Sequence, residues 1–79
     1  MRADTAAAQA GYPLAARDIQ VLRHAARGLG YPEMAREMFI SPNTCKEYMQ
    51  RAIAKLEVRT RVQAVLKAER MGLLRGVEV

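Results

Sequence analysis

A chain of 79 residues, 51% hydrophobic and 27% charged, has the make-up of one small globular domain, and folding a chain of that size hides only about 60% of the surface exposed when it is unfolded. Length argues against a second domain, a barrel or a deep enzymatic cleft, and composition argues against disorder. The net charge is +5 and the isoelectric point about 10.0, so the position of the excess charge decides whether a polyanion is a plausible partner.

The apolar share is drawn from Ala, Leu, Val, Met and Ile, with no Trp, one Phe and three Tyr, which predicts aliphatic helix packing and an all-α protein. One cysteine, Cys45, cannot form an internal disulfide, and with one histidine, His24, the chain lacks the four N or S ligands of a structural zinc. No metal or cofactor is expected. No stretch approaches the roughly 18 apolar residues of a membrane span. Asp4 and Gln9 occupy the place where a signal peptide needs an apolar centre, so the protein is expected in the cytoplasm.

In chain order, residues 1–12 lack apolar periodicity and read as a loose tail, the folded domain is expected over 13–75, and 76–79 are expected to fray. Ile19, Leu22, Ala26 and Leu29 recur at helical spacing, giving a first helix over 16–27 that Gly28 and Leu29 stop with a left-handed turn and an apolar latch. Pro32 and Glu33 suit a first turn, and Met34, Ala35 and Met38 share a face before Phe39 and Ile40 break the period, so a second, short helix covers 32–38. Ser41 followed by Pro42 is an N-cap with an N1 proline, predicting a third helix over 42–56. Its apolar arc is Cys45, Tyr48, Met49, Ala52, Ile53 and Leu56; Lys46, Glu47, Gln50, Arg51 and Ala54 fall on the opposite arc. A fourth helix runs from Thr60 to Met71, stopped by Gly72 with Leu73 beyond.

The charge excess is local. Residues 43–61 hold Lys46, Arg51, Lys55, Arg59 and Arg61 against Glu47 and Glu57, a net +3 of the total +5. A basic stripe of this kind suits a polyanion, because each neutralised phosphate releases condensed counterions. An enzyme is not expected, since the chain offers no paired nucleophile and base, no metal cluster and no phosphate-cradling glycine loop.

Two helices separated by Phe39, Ile40 and Ser41, the second capped, basic and polar on its outer side, fit a helix-turn-helix. The run Leu14-Ala15-Ala16-Arg17-Asp18-Ile19-Gln20-Val21-Leu22 is followed by Ala26-Arg27-Gly28 and Glu33-Met34-Ala35. Then come Met38-Phe39-Ile40-Ser41, Thr44-Cys45-Lys46, Tyr48, Ile53, Lys55-Leu56 and Val58, and finally Arg61, Gln63, Ala64 and Gly72-Leu73-Leu74. From Leu14 to Leu74, without an insertion, this pattern resembles the LuxR/FixJ/GerE-type C-terminal DNA-binding domain. The departures are chemical. Ala15 stands for the threonine that would cap the first helix, a loss of about 1 kcal/mol, although Asp18 keeps a negative charge in the first turn. Gly30, Tyr31 and Pro32 replace the usual polar lead-in to the second helix, Cys45 replaces valine, Tyr48 replaces histidine and Glu57 replaces glycine.

The resemblance implies sequence-specific double-stranded DNA binding by a bacterial transcription regulator, with the third helix in the major groove. It implies that Lys46, Glu47 and Gln50 face bases and that Ser41, Thr44 and Lys55 face phosphates. Arg51 has the reach for a guanine or a phosphate, Gln50 pairs chemically with adenine, and Glu47 needs a cytosine amine or the Arg51 guanidinium beside it. Arg59 and Arg61 are either phosphate clamps or partners of an acid such as Asp18. Arg59 is placed with the phosphate contacts, and for Arg61, which projects towards the core, the salt bridge is at least as well supported. Tyr48 is expected to pack its ring with its hydroxyl at the edge, and Cys45 to be a small buried hydrophobe. If Arg61, Val65, Ala68 and Gly72 mark the inward line of the fourth helix, Val62 and Leu66 face outward, where the resemblance implies a homodimer on a pseudo-palindromic site. The alternative, which Glu47 and Tyr48 keep open, is a protein-interaction module of the same fold that binds another regulator or RNA polymerase without reading sequence.

Overall fold

The computed structural model describes residues 14–74. The expected tail, the frayed end and the domain limits at 13 and 75 lie outside the described residues. Among these, four helices and no strand are present: α1 (Ala16–Ala26), α2 (Tyr31–Met38), α3 (Pro42–Leu56) and α4 (Arg61–Arg70). α3 packs against all three of the others and α1 also touches α2 and α4, so α3 is the axis of the bundle.

Each helix start answers a specific set of unpaired backbone N–H groups. Ser41 Oγ accepts the Thr44 N–H at 3.0 Å with Pro42 in the first position of α3, and Thr60 Oγ1 accepts the Gln63 N–H at 3.1 Å at the start of α4. Gln63 Oε1 reaches back to the Arg59 and Thr60 N–H groups at 2.8 and 3.2 Å, a reciprocal cap worth about 1 kcal/mol for its hydroxyl half. At α2 the Gly30 N–H donates to Glu33 Oε1 at 2.7 Å. Ala15 has no hydroxyl to offer α1, and only the reverse half of the cap survives: the Ala15 N–H donates to Asp18 Oδ2 at 3.0 Å.

All four helices end in the same way. A residue in the left-handed region turns the chain, and the N–H that follows donates to a carbonyl five residues back: Leu29 to His24, Ile40 to Ala35, Val58 to Ile53 and Leu73 to Ala68, at 3.0–3.2 Å. The apolar residue after each turn packs against the core as a latch. Gly28 (φ 90°) and Gly72 (φ 76°) make two of these turns, as their sequence context predicts. Phe39 (φ 58°) and Glu57 (φ 60°) make the others, at a cost of about 1–2 kcal/mol each because Cβ crowds the following carbonyl.

The core is aliphatic and sulfur-rich, centred on Leu22, Met34, Cys45, Met49 and Leu56, all fully buried. Burying side chains of this size contributes about 1.5–3 kcal/mol each for the larger ones. The inward arc of α1 differs from the sequence expectation. Val21 and Leu22 are buried and Ala25 half-buried, whereas Ile19 is only half-buried and Ala26 is exposed. The alanines on both sides of Leu22 and the short helix let two neighbouring arcs fit the spacing, and packing on α3 selects the one through Val21. On α4 the buried positions are Ala64 and Ala68, with Arg61 and Val65 half-buried.

Candidate nucleic-acid interface

α3 is divided along its length. Cys45, Met49, Ala52 and Leu56 are fully buried, and Tyr48 and Ile53 are half-buried at the margins of that arc. Lys46, Glu47, Gln50, Arg51 and Ala54 are all exposed on the other side, as the helical spacing predicts. One apolar arc fixes the rotation of the helix, and fixing it presents Lys46, Glu47, Gln50 and Arg51 together along one exposed strip. Burial pushes the Cys45 thiol up, partly offset by Arg17, so it stays a protonated core side chain.

Ser41 and Thr44, both expected near phosphates, stand at the N-terminus of α3, where the Ser41 and Thr44 hydroxyls also bond each other at 2.9 Å. Arg59 is exposed in the turn before α4, its backbone N–H held by Gln63. Arg51 lies over the Tyr48 ring, its guanidinium carbon 5.3 Å from the ring centroid. Glu47 makes no ion pair among the described residues.

Two of the five cations in the basic stretch turn inward, Arg61 as its place on the inward line of α4 predicts and Lys55 against the expectation. Lys55, expected at a phosphate, donates its Nζ to Asp18 Oδ2 at 2.8 Å; Asp18 is fully buried, and Lys55 is 26% exposed. The acid at the start of α1 thus takes its counter-charge from the last turn of α3. Arg61, for which a phosphate clamp and a bridge to an acid such as Asp18 were both open, donates to the Leu29 carbonyl, and its guanidinium carbon lies 4.8 Å from the Tyr31 ring centroid. Tyr31 is the aromatic departure in the lead-in to α2, and its ring is what carries this guanidinium. In α4, Lys67 Nζ donates to the Leu56 carbonyl at 2.8 Å, closing an unpaired acceptor at the end of α3. The outward cations that remain in the stretch are Lys46, Arg51 and Arg59.

On α4, Val62 is 66% and Leu66 49% exposed, so the apolar pair does face out. Phe39, which sequence reasoning did not single out as a surface group, is 93% exposed in the turn before α3.

A short helix and a capped second helix joined through Phe39, Ile40 and Ser41, with the second exposing a polar, basic strip, define a helix-turn-helix domain. The chain belongs to the luxR family of bacterial regulatory proteins, a family of DNA-binding transcription regulators, whose description matches residues 12–68. It is 41% identical over 61 residues to the "Probable transcriptional regulatory protein NarL" of Mycobacterium tuberculosis (strain ATCC 25618 / H37Rv), covering 77% of this chain and 28% of that protein. It is 33% identical over 70 residues to the "Uncharacterized transcriptional regulatory protein YxjL" of Bacillus subtilis (strain 168), covering 89% of this chain and 32% of the relative. It is also 41% identical over 61 residues to the "HTH-type transcriptional activator RamA" of Corynebacterium glutamicum, covering 77% and 22%. The chain therefore matches less than a third of the length of each of these relatives. No helix among the described residues is long and apolar enough to cross a membrane.

Proposed function

We propose that this chain, folded over residues 13–75, is the sequence-reading part of a cytoplasmic bacterial transcription regulator and has no enzymatic activity of its own. The observation that carries the reading is the exposed strip of α3, where Lys46, Glu47, Gln50 and Arg51 stand outward while the opposite arc is sealed in the core. A helix with its side chains is about 10–12 Å across and fits the roughly 12 Å major groove. There Lys46 donates to guanine O6 or N7, Gln50 pairs with adenine, Glu47 accepts from cytosine N4, and Arg51 reaches a guanine or a phosphate. Ser41, Thr44 and Arg59 flank the strip and meet phosphates, helped by the positive end of the α3 dipole. Lys55 leaves the phosphate set, because Asp18 holds it. Val62 and Leu66 receive a second copy on DNA, which sets two reading helices about 34–36 Å apart on a pseudo-palindromic site. RNA polymerase is a further partner of the assembled regulator.

A mobility-shift titration across salt concentrations tests this. DNA affinity should fall linearly on a log–log plot against salt, and removing one phosphate-facing cation should flatten the slope by about one. Salt-insensitive association with a protein partner, and no duplex binding at low salt, would favour the protein-interaction reading instead.

A further inference from the structure

Arg51 has two neighbours on its own helix within reach: Glu47, four residues back, and Tyr48, three residues back. On an exposed helix a Glu–Arg pair at that spacing is favourable by about 0.2–0.5 kcal/mol, and it would draw the two charges together and make each compete with an incoming ligand. The structure has the other arrangement. The Arg51 guanidinium lies over the Tyr48 ring, and Glu47 is left without an ion pair among the described residues. Tyr48 can act as the platform because its ring is half-buried and packed against the core, so its face is fixed relative to the helix axis.

We propose that Tyr48 is a positioning residue of the reading strip: its ring holds the Arg51 guanidinium away from Glu47, so that the two opposite charges reach DNA as separate groups. Arg51 then stays a donor for a guanine or a phosphate, and Glu47 stays a free acceptor that favours a cytosine amine and is repelled wherever it meets only phosphate. This goes beyond the proposed function and rests on it, since it assumes that the outer strip of α3 faces bases. A leucine at the Tyr48 position would keep the buried contact and remove the aromatic face, releasing Arg51 to pair with Glu47.

The test has one arm without DNA and one with it. In the free domain, the side-chain protons of Arg51 should be ring-current shifted upfield in the wild type and in Tyr48→Phe, and should move to ordinary positions in Tyr48→Leu. In selections from a random duplex pool, Tyr48→Phe should keep the wild-type preference. Tyr48→Leu should bind the selected site about twofold more weakly and show a reduced preference at the base pairs read by Arg51 and Glu47, with helix content unchanged and the Lys46 position unaffected. Adding Glu47→Gln to Tyr48→Leu should restore the Arg51 preference, a rescue that a purely structural role for the ring would not give. Arg51 protons that are the same in wild type and Tyr48→Leu, or a preference undiminished in Tyr48→Leu, would overturn this inference alone. A wild-type domain that selects no sequence would overturn the reading of α3 and this inference with it.

Discussion

Lys46 and Lys55 are the same side chain on the same helix, about two and a half turns apart and on opposite flanks of its buried arc. Lys46 is exposed and points away from the bundle; Lys55 reaches 2.8 Å from a fully buried carboxylate on α1. Net charge treats the two as equal, and the fold does not. A lysine near a buried acid is bound to the interior by the cost of leaving that acid uncompensated, whereas a lysine with no such partner keeps its charge for an outside ligand. The same division separates Arg61, on the Leu29 carbonyl and the Tyr31 ring, from Arg59 in the turn beside it.

That contrast can be broken from either side. Lys55→Met should cost the most stability, about 3 kcal/mol or more, because the Asp18 carboxylate is then buried without a counter-charge. Denaturant midpoints measure it, and Asp18→Asn combined with Lys55→Met should recover part of the loss. Lys46→Ala should do the reverse, leaving the unfolding free energy within about 0.5 kcal/mol while weakening the selected DNA site by about 1–3 kcal/mol, read by mobility shift on cognate and random duplexes. Equal losses on both duplexes would move Lys46 to the phosphates. A smaller effect is expected from Thr60→Ala, which removes the hydroxyl that caps α4 and should cost about 1 kcal/mol of stability by thermal or chemical denaturation. Smallest, and opposite in sign, Glu57→Gly relieves a left-handed residue at φ 60° and should gain up to about 1 kcal/mol in the same measurement.

Local signals in the sequence carried the helices and failed where tertiary packing decides. α3 was legible to the residue, because Ser41 and Pro42 mark its start and its apolar arc recurs without ambiguity. The ends at Gly28 and Gly72 were legible for the same reason: only glycine takes a left-handed turn freely. Phe39 and Glu57 make the identical turn with no local preference for it, since the latches Ile40 and Val58 and the packing around them impose the conformation. The face of α1 was misplaced by one step because alanine carries little periodic signal. The partner of Asp18 could not be read at all: Lys55 lies 37 residues away and meets it only once α1 has packed on α3. The polar strip of α3 was visible as a pattern, whereas the placing of Arg51 over Tyr48, with Glu47 in no ion pair among the described residues, needed the side-chain geometry.

The most direct measurement is an NMR titration of the domain with a selected duplex at low ionic strength, following backbone amides and the side chains of Lys46, Gln50 and Arg51. If the exposed strip of α3 lies in the groove, signals from residues 41–54 should shift in proportion to occupancy while those on the outer side of α1 stay in place. If α3 remains unmoved while duplex binds through another surface, or while nothing binds, the account is contradicted.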